Sequence, residues 1–245
     1  MPKRKLWTRN ESILAIDLYC RTVFGKIDAR NKDIIALAKQ IGRTPNSVAL
    51  KLTNFASLDP TLDRVGVKNV SKLDRKMWSE FFDDPDAFFT MASRLTEAYA
   101  TPENNYGNTP GFREGGEYEV TRKARKNQDY FRQMVLASYR NSCCITGIEI
   151  PEVLIASHII PWAEEPRYRT DPTNGLCLNA LHDKAFDRGL IVLDDEYRVN
   201  VSSKLKKCRY SIFNDYEGKQ IHMPDRFLPS REFLKKHRDE HKDLY

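Results

Sequence analysis

The chain has 245 residues, 40% of them hydrophobic and 30% charged, enough for one large or two ordinary domains with real cores. Its formal charge is +6, and residues 1–100 hold 17 Lys+Arg against 12 Asp+Glu, so the positive excess sits at the front, where it suits a polyanionic partner. No apolar run approaches the ~20 residues that cross a bilayer, and the five cysteines are odd in number without a C-x-x-C pair, which argues against a membrane partner, a disulfide framework and a structural zinc ribbon. With no apolar stretch after Met1-Pro2-Lys3-Arg4-Lys5, a cytoplasmic location is expected.

Thr8-x-x-Glu11 reads as a capping box, and Ile13, Leu14, Ala15, Leu18 and Tyr19 continue it into an amphipathic helix ending near Arg21 to Phe24. A second helix is predicted over about Lys32 to Ile41, with Ile34, Leu37, Ala38 and Ile41 on one side and Gly42 as a left-handed stop. Thr44 as N-cap and Pro45 at the first helical position start a third, whose Val48, Leu52 and Phe55 face inward. Three short helices with a tight Gly-Arg-Thr-Pro turn before the last resemble helix-turn-helix or Myb-like DNA-binding domains. The resemblance implies that Asn46, Ser47, Leu50, Lys51 and Asn54, with Thr44 at the helix start, face DNA, while Arg43 and the Lys3-Arg4-Lys5 arm meet phosphates or a minor groove. The plain alternative is a three-helix packing domain with a solvated polar face.

Ser71 with Asp74 caps a further helix through Phe82, and Asp84-Pro85-Asp86 starts another through Tyr99. Residues 101–119, T-P-E-N-N-Y-G-N-T-P-G-F-R-E-G-G-E-Y-E, lack periodicity and read as a linker between domains at 1–100 and 120–245. Arg122, Lys123, Arg125 and Lys126 then precede a helix with Phe131, Val135 and Tyr139 inward. Such a run is usually a solvated helix start, but beside a DNA site it would serve as a phosphate rail.

The stretch from Ser157 to Arg188 carries the chemistry. Val153-Leu154-Ile155-Ala156 has strand character and ends at Ser157-His158, with Pro161 stopping it. Trp162 to Thr173 loops out, Asn174-Gly175 brings the chain back, Leu176 and Leu178 bracket Cys177, and Asn179 caps a helix over Ala180 to Phe186 with His182 in its first turn. Beyond it, Leu190 to Leu193 and Tyr197 to Val201 form a hairpin around Asp194-Asp195-Glu196. A charged helix after Ser230 places His237 and His241 at i, i+4, a spacing that suits a metal but is read here as facing solvent. Cys143, Cys144 and Cys177 read as core thiols.

His158, Asn174 and His182 in this strand, loop, strand, helix order resemble the signature of HNH nucleases. The words A-S-H-I-I-P-W, N-G-L-C-L and L-H-D-K-A-F-D-R-G-L, with the lead-in from Gln128 to Gly147, are similar to a subgroup of HNH restriction endonucleases. The resemblance covers about residues 120 to 203. It implies an α+β protein, an N-terminal all-α helix-turn-helix-like domain joined by a linker to a C-terminal ββα-metal HNH domain that packs a hairpin and a helix around one divalent cation. It further implies hydrolysis of double-stranded DNA to 3′-hydroxyl and 5′-phosphate ends with Mg²⁺, Mn²⁺ or another divalent cation.

By that pattern His158 is the general base, Asn174 holds the loop that aims it, and His182 is a metal ligand. Many relatives carry Asp or His just before the base, where this chain has Ser157, a weaker neutral ligand. Asp187, Asp183 and Asp171 are the nearby carboxylates, with Asp187 a supporting residue or a partner of Arg188. Each histidine taken singly is compatible with an ordinary half-buried side chain; the ordered set favours the nuclease. Two other readings stay open, a DNA-binding regulator with an inactive HNH fold and an RNA-directed nuclease. Because each such site cuts one strand, double-strand cleavage would call for a homodimer or sequential nicks.

Overall fold

The computed structural model describes residues 5–59, 70–99, 116–207 and 212–245, with the backbone alone for 116–126. Mostly helical, it carries two small antiparallel strand pairs, both in the C-terminal part. The chain divides into two compact units, Met1–Tyr130 and Phe131–Tyr245. The expected linker lies outside the described residues up to 115, and 116–119 begin a long helix, α6 (Gly116–Ser138), along which the division falls.

In the first unit α1 (Arg9–Arg21) starts on the expected capping box: Thr8 N–H donates to Glu11 Oε2 at 2.8 Å and Glu11 N–H to Thr8 Oγ1 at 3.3 Å. Every residue from Glu11 to Cys20 is buried, so α1, read as amphipathic from its periodicity, is a central helix over that stretch. Around it pack α2 (Lys32–Gln40), α3 (Pro45–Ala56), α4 (Lys72–Asp83) and α5 (Pro85–Tyr99). The turn between α2 and α3 is a Schellman motif: Gly42 sits at φ +64°, its N–H reaches Lys39 O at 3.3 Å, and Arg43 N–H reaches Ala38 O at 2.8 Å. Thr44 caps α3 as expected, and Ser71 with Asp74 forms a second capping box on α4. Phe55, Trp78, Phe81, Phe88 and Phe89 fill the interior with Tyr19, in contacts such as the Phe55–Trp78 stack at 6.1 Å.

In the second unit β1 (Leu154–His158) pairs antiparallel with β2 (Gly175–Asn179), His158 opposite Gly175 and Leu154 opposite Asn179. Helix α7 (Ala180–Asp187) follows without a break, and β3 (Ile191–Leu193) pairs with β4 (Val199–Val201) as the predicted hairpin. The short α8 (Ser203–Lys206) and α9 (Arg231–Glu240) complete the unit. The end of α6 packs on β2 so closely that a Cβ on Gly175 would collide with Val135 Cγ2 and lie 3.1 Å from Phe131 Cζ. Glycine here is a packing requirement, beyond the turn role read for Asn174-Gly175. Cys143, Cys144 and Cys177 are buried free thiols, as expected.

Candidate active site

A cleft of about 540 Å³ opens between β1, α7 and α9, lined by Ser157, His158, Trp162, Asp183, Asp187 and His241 among others. His158 ends β1 and its ring lies flat on Phe131, centroids 3.8 Å apart and planes within 12°, with Trp162 edge-on at 5.5 Å. Its Nε2 is 2.9 Å from the Arg169 carbonyl oxygen. A carbonyl only accepts, so Nε2 carries the hydrogen and Nδ1 keeps its lone pair. Burial is the largest influence on this imidazole and holds its pKa below the ordinary value; the Arg169 carbonyl and the charge of Asp187 oppose it.

Asn174 ties three backbone groups together. Its Oδ1 accepts Ile160 N–H at 2.7 Å, while Nδ2 donates to Ile160 O at 3.1 Å and Tyr168 O at 3.0 Å. The loop carrying Arg169 is thereby tied to the end of β1, and Arg169 O is the acceptor that orients His158. Asp171 shapes the turn before β2, where its carboxylate accepts Thr173 N–H at 2.8 Å and Thr173 Oγ1 at 2.7 Å. It does not line the cleft.

His182, expected as a metal ligand, does not line this cleft, and its buried Nε2 has no hydrogen-bond partner among the described residues. It is 1% exposed, on the face of α7 opposite the cleft, with Nδ1 3.1 Å from Asn179 Oδ1 and its ring against Phe213 at 5.2 Å and Tyr216 at 5.6 Å. Burial pushes its pKa down. The physical reason is helical phase: Ala185 and Phe186, three and four residues on, are buried, so His182 shares the core stripe. Asp183 and Asp187, one turn apart, take the opposite face and meet Ser157 and His158.

Those residues can be asked whether they suit a divalent cation. Ser157 Oγ is buried and, among the described residues, makes no regular hydrogen bond. It is still near enough to Asp183 to favour the charged carboxylate, while burial first and the Asp187 charge next push Asp183 up. Two carboxylates lining one cleft with a buried hydroxyl suit an oxygen-seeking cation. Among the described residues no three His, Cys, Asp or Glu side chains are gathered into a ready cage. Any cation held there would need further ligands from outside the described side chains.

His237 differs from the solvent-facing reading, while His241 is half-buried. His237 is buried, stacked on Phe186 at 4.0 Å, with Nε2 3.1 Å from Phe186 O, and His241 meets it edge-on at 4.8 Å. Phe233, Leu234 and His237 repeat at i, i+1, i+4, which marks a core face and could have revealed this from the sequence. His241 fills the space over Gly189, which caps α7 at φ +62°.

In the first unit a cleft of about 890 Å³ is bordered by Trp7, Thr44, Ser47, Leu50, Asn54 and Leu73. Asn46 and Leu50 are exposed, and Ser47 and Asn54 half-buried, on the expected face of α3. Arg43 and Lys51 differ from expectation. The Arg43 side chain is 6% exposed, ion-paired with Glu11 at 2.8 Å, donating to Leu6 O at 2.6 Å and lying over the Trp7 ring. The Lys51 side chain is 3% exposed and ion-paired with Asp74. Both cations are consumed in holding the N-terminal segment and α4 against α3. Lys5 donates to Ile41 O at 3.0 Å and pairs with Glu11 at 3.3 Å while staying half in solvent. Lys3 and Arg4 lie outside the described residues, as do the side chains of Arg122, Lys123, Arg125 and Lys126, whose backbone is helical in α6.

No helix among the described residues is long and apolar enough to cross a membrane. No curated protein matches the chain. A family model described as HNH endonuclease matches residues 143–194, a span that holds β1, the Asn174 loop, β2 and α7. On that match, residues 143–194, with their hairpin and helix, are similar to HNH endonuclease domains.

Proposed function

We propose that this protein is a metal-dependent DNA endonuclease of restriction type in which His158 is the general base, Asn174 its positioning residue, and Asp183 with Ser157 and Asp187 the cation-binding group. The observation that carries the reading is the His158 imidazole, hydrogen-bonded through Nε2 to Arg169 O inside a cleft that also presents Asp183 and Asp187. Nδ1 takes a proton from the attacking water, and the depressed pKa keeps the ring neutral and ready to accept it near neutral pH. Phe131 and the Arg169 carbonyl hold the ring in one plane, so the lone pair needs no reorientation. Asp183 and Asp187 would hold the cation beside it, with the Ser157 hydroxyl as a neutral third donor. A bound divalent cation supplies Lewis acidity at a non-bridging phosphate oxygen and at the departing oxygen.

Site recognition is assigned to the first unit. Asn46, Ser47, Leu50 and Asn54 on α3, with Thr44 at its start, support this reading, and Lys5 and the Lys3-Arg4 arm extend it. Arg43 and Lys51 are left out of the DNA contacts because their charges are already paired. The restriction type rests on the similarity of A-S-H-I-I-P-W and N-G-L-C-L to the restriction subgroup.

The test is cleavage of supercoiled plasmid with Mg²⁺ or Mn²⁺. Wild type should nick or linearise it and His158→Ala should not. A wild type that shifts DNA on a gel yet leaves modified and unmodified plasmid intact overturns the enzyme reading. Equal or faster cleavage of RNA at the same salt overturns the choice of substrate.

A further inference from the structure

We propose that Lys184 and Arg188 form a two-point grip on neighbouring phosphates of one strand of a DNA duplex, drawing that strand across the His158 cleft; this rests on the DNA-nuclease reading above. Both residues line the cleft and both are exposed. Lys184 lies in the last turns of α7 and Arg188 is its C-cap, four residues on, so the two share one helix edge about 6 Å apart along the axis. That spacing lets each meet its own phosphate along a single strand.

Charge balance gives the reason for the pair. Asp183, Asp187 and Glu240 all line the same cleft, and three carboxylates repel a polyanion unless cations stand beside them. Three other cations of this unit are committed elsewhere: Lys236 to Glu164 at 2.7 Å, Arg238 to Leu193 O at 2.6 Å, and Arg169 to Trp162 O at 2.9 Å. Among the described residues neither Lys184 nor Arg188 closes a hydrogen-bonded ion pair, and Lys184 acts on the neighbouring Asp183 carboxylate only through space. They keep their charge available for phosphate, Arg188 as a planar fork and Lys184 as a point charge.

The experiment measures binding of a fluorescent duplex by full-length His158→Ala protein in EDTA, from 50 to 200 mM KCl, with Lys184→Gln, Arg188→Gln, both together, and Lys204→Gln as an exposed control outside the cleft. Each cleft substitution should lower the slope of log K against log salt by about 0.9, the duplex value for one lost phosphate contact. Affinity at the lowest salt should fall by up to about fivefold per residue, the ceiling for a solvent-exposed ion contact, and the control should keep the wild-type slope. An unchanged slope in the double variant overturns the grip, and so does an equal loss in Lys204→Gln, which would report net charge alone. A wild-type protein that fails to nick plasmid defeats the nuclease reading instead, because the slope is read without cleavage.

Discussion

The two faces of α7 should separate in a paired substitution of adjacent residues. Asp183→Asn removes a carboxylate that faces the cleft, while His182→Phe replaces a buried imidazole that touches Phe213, Tyr216 and Asn179. If the Asp183 charge supports about 3–4 kcal/mol of transition-state stabilisation through the cation, its loss slows plasmid nicking about 10²- to 10³-fold. Stability should move the other way. The Asp183 pKa is raised in the fold by burial and by Asp187, so its ionised form opposes folding above the unfolded carboxylate pKa. Asp183→Asn should therefore melt at or above the wild-type temperature at pH 7, with the difference fading in acid. His182→Phe keeps the packing volume but loses the bond to Asn179 Oδ1, a cost of about 1 kcal/mol, and should cut within a few-fold of wild type. The measurements are initial nicking rates at matched folded fractions and thermal melts at pH 4 and 7. An inactive His182→Phe beside an active Asp183→Asn would refute the assignment of faces.

Gly175→Ala forces a Cβ onto Val135 and against Phe131, an overpacking cost of about 1–3 kcal/mol, and disturbs the ring on which His158 lies. A double-mutant cycle with Val135→Ala should recover part of the melting temperature. Lys51→Ala strands the buried Asp74 carboxylate and should lower the urea stability of the first unit by about 3–5 kcal/mol, whereas a DNA-contact role would leave the urea midpoint unchanged. His237 is held down to about 4 by burial first, with the neighbouring His241 charge adding to it. Its neutral form is required in the fold, so the stability it contributes is present above the unfolded imidazole pKa and drains as pH falls from about 6.5 toward 4, by roughly 3 kcal/mol in full. His237→Gln should flatten that part of the stability-against-pH curve measured by urea denaturation.

Local rules carried far along this chain. Capping boxes at Thr8 and Ser71, the Gly42 stop, Pro45 at the head of α3 and Asn179 at the head of α7 all act between residues close in sequence, and each stands where the sequence puts it. The strand, loop, strand, helix order around His158 is readable for the same reason. Helical phase was also within reach: Ala185 and Phe186 mark the core face of α7 and put His182 on it, and Phe233 and Leu234 do so for His237.

What the amino-acid order determined by itself is the set of elements, their ends, and the presence of an imidazole at the close of β1, because propensity, capping and turn chemistry are short-ranged. Tertiary structure alone decided which charges are free. Arg43 and Lys51 look like DNA contacts in sequence, yet Glu11 lies 32 positions from the first and Asp74 23 from the second. Only folding brings those carboxylates close enough to neutralise them. The same packing turns Asp183 and Asp187 toward His158 and places Phe131 under its ring. A Coulomb or stacking partner is set by distance in space, and sequence separation does not encode it.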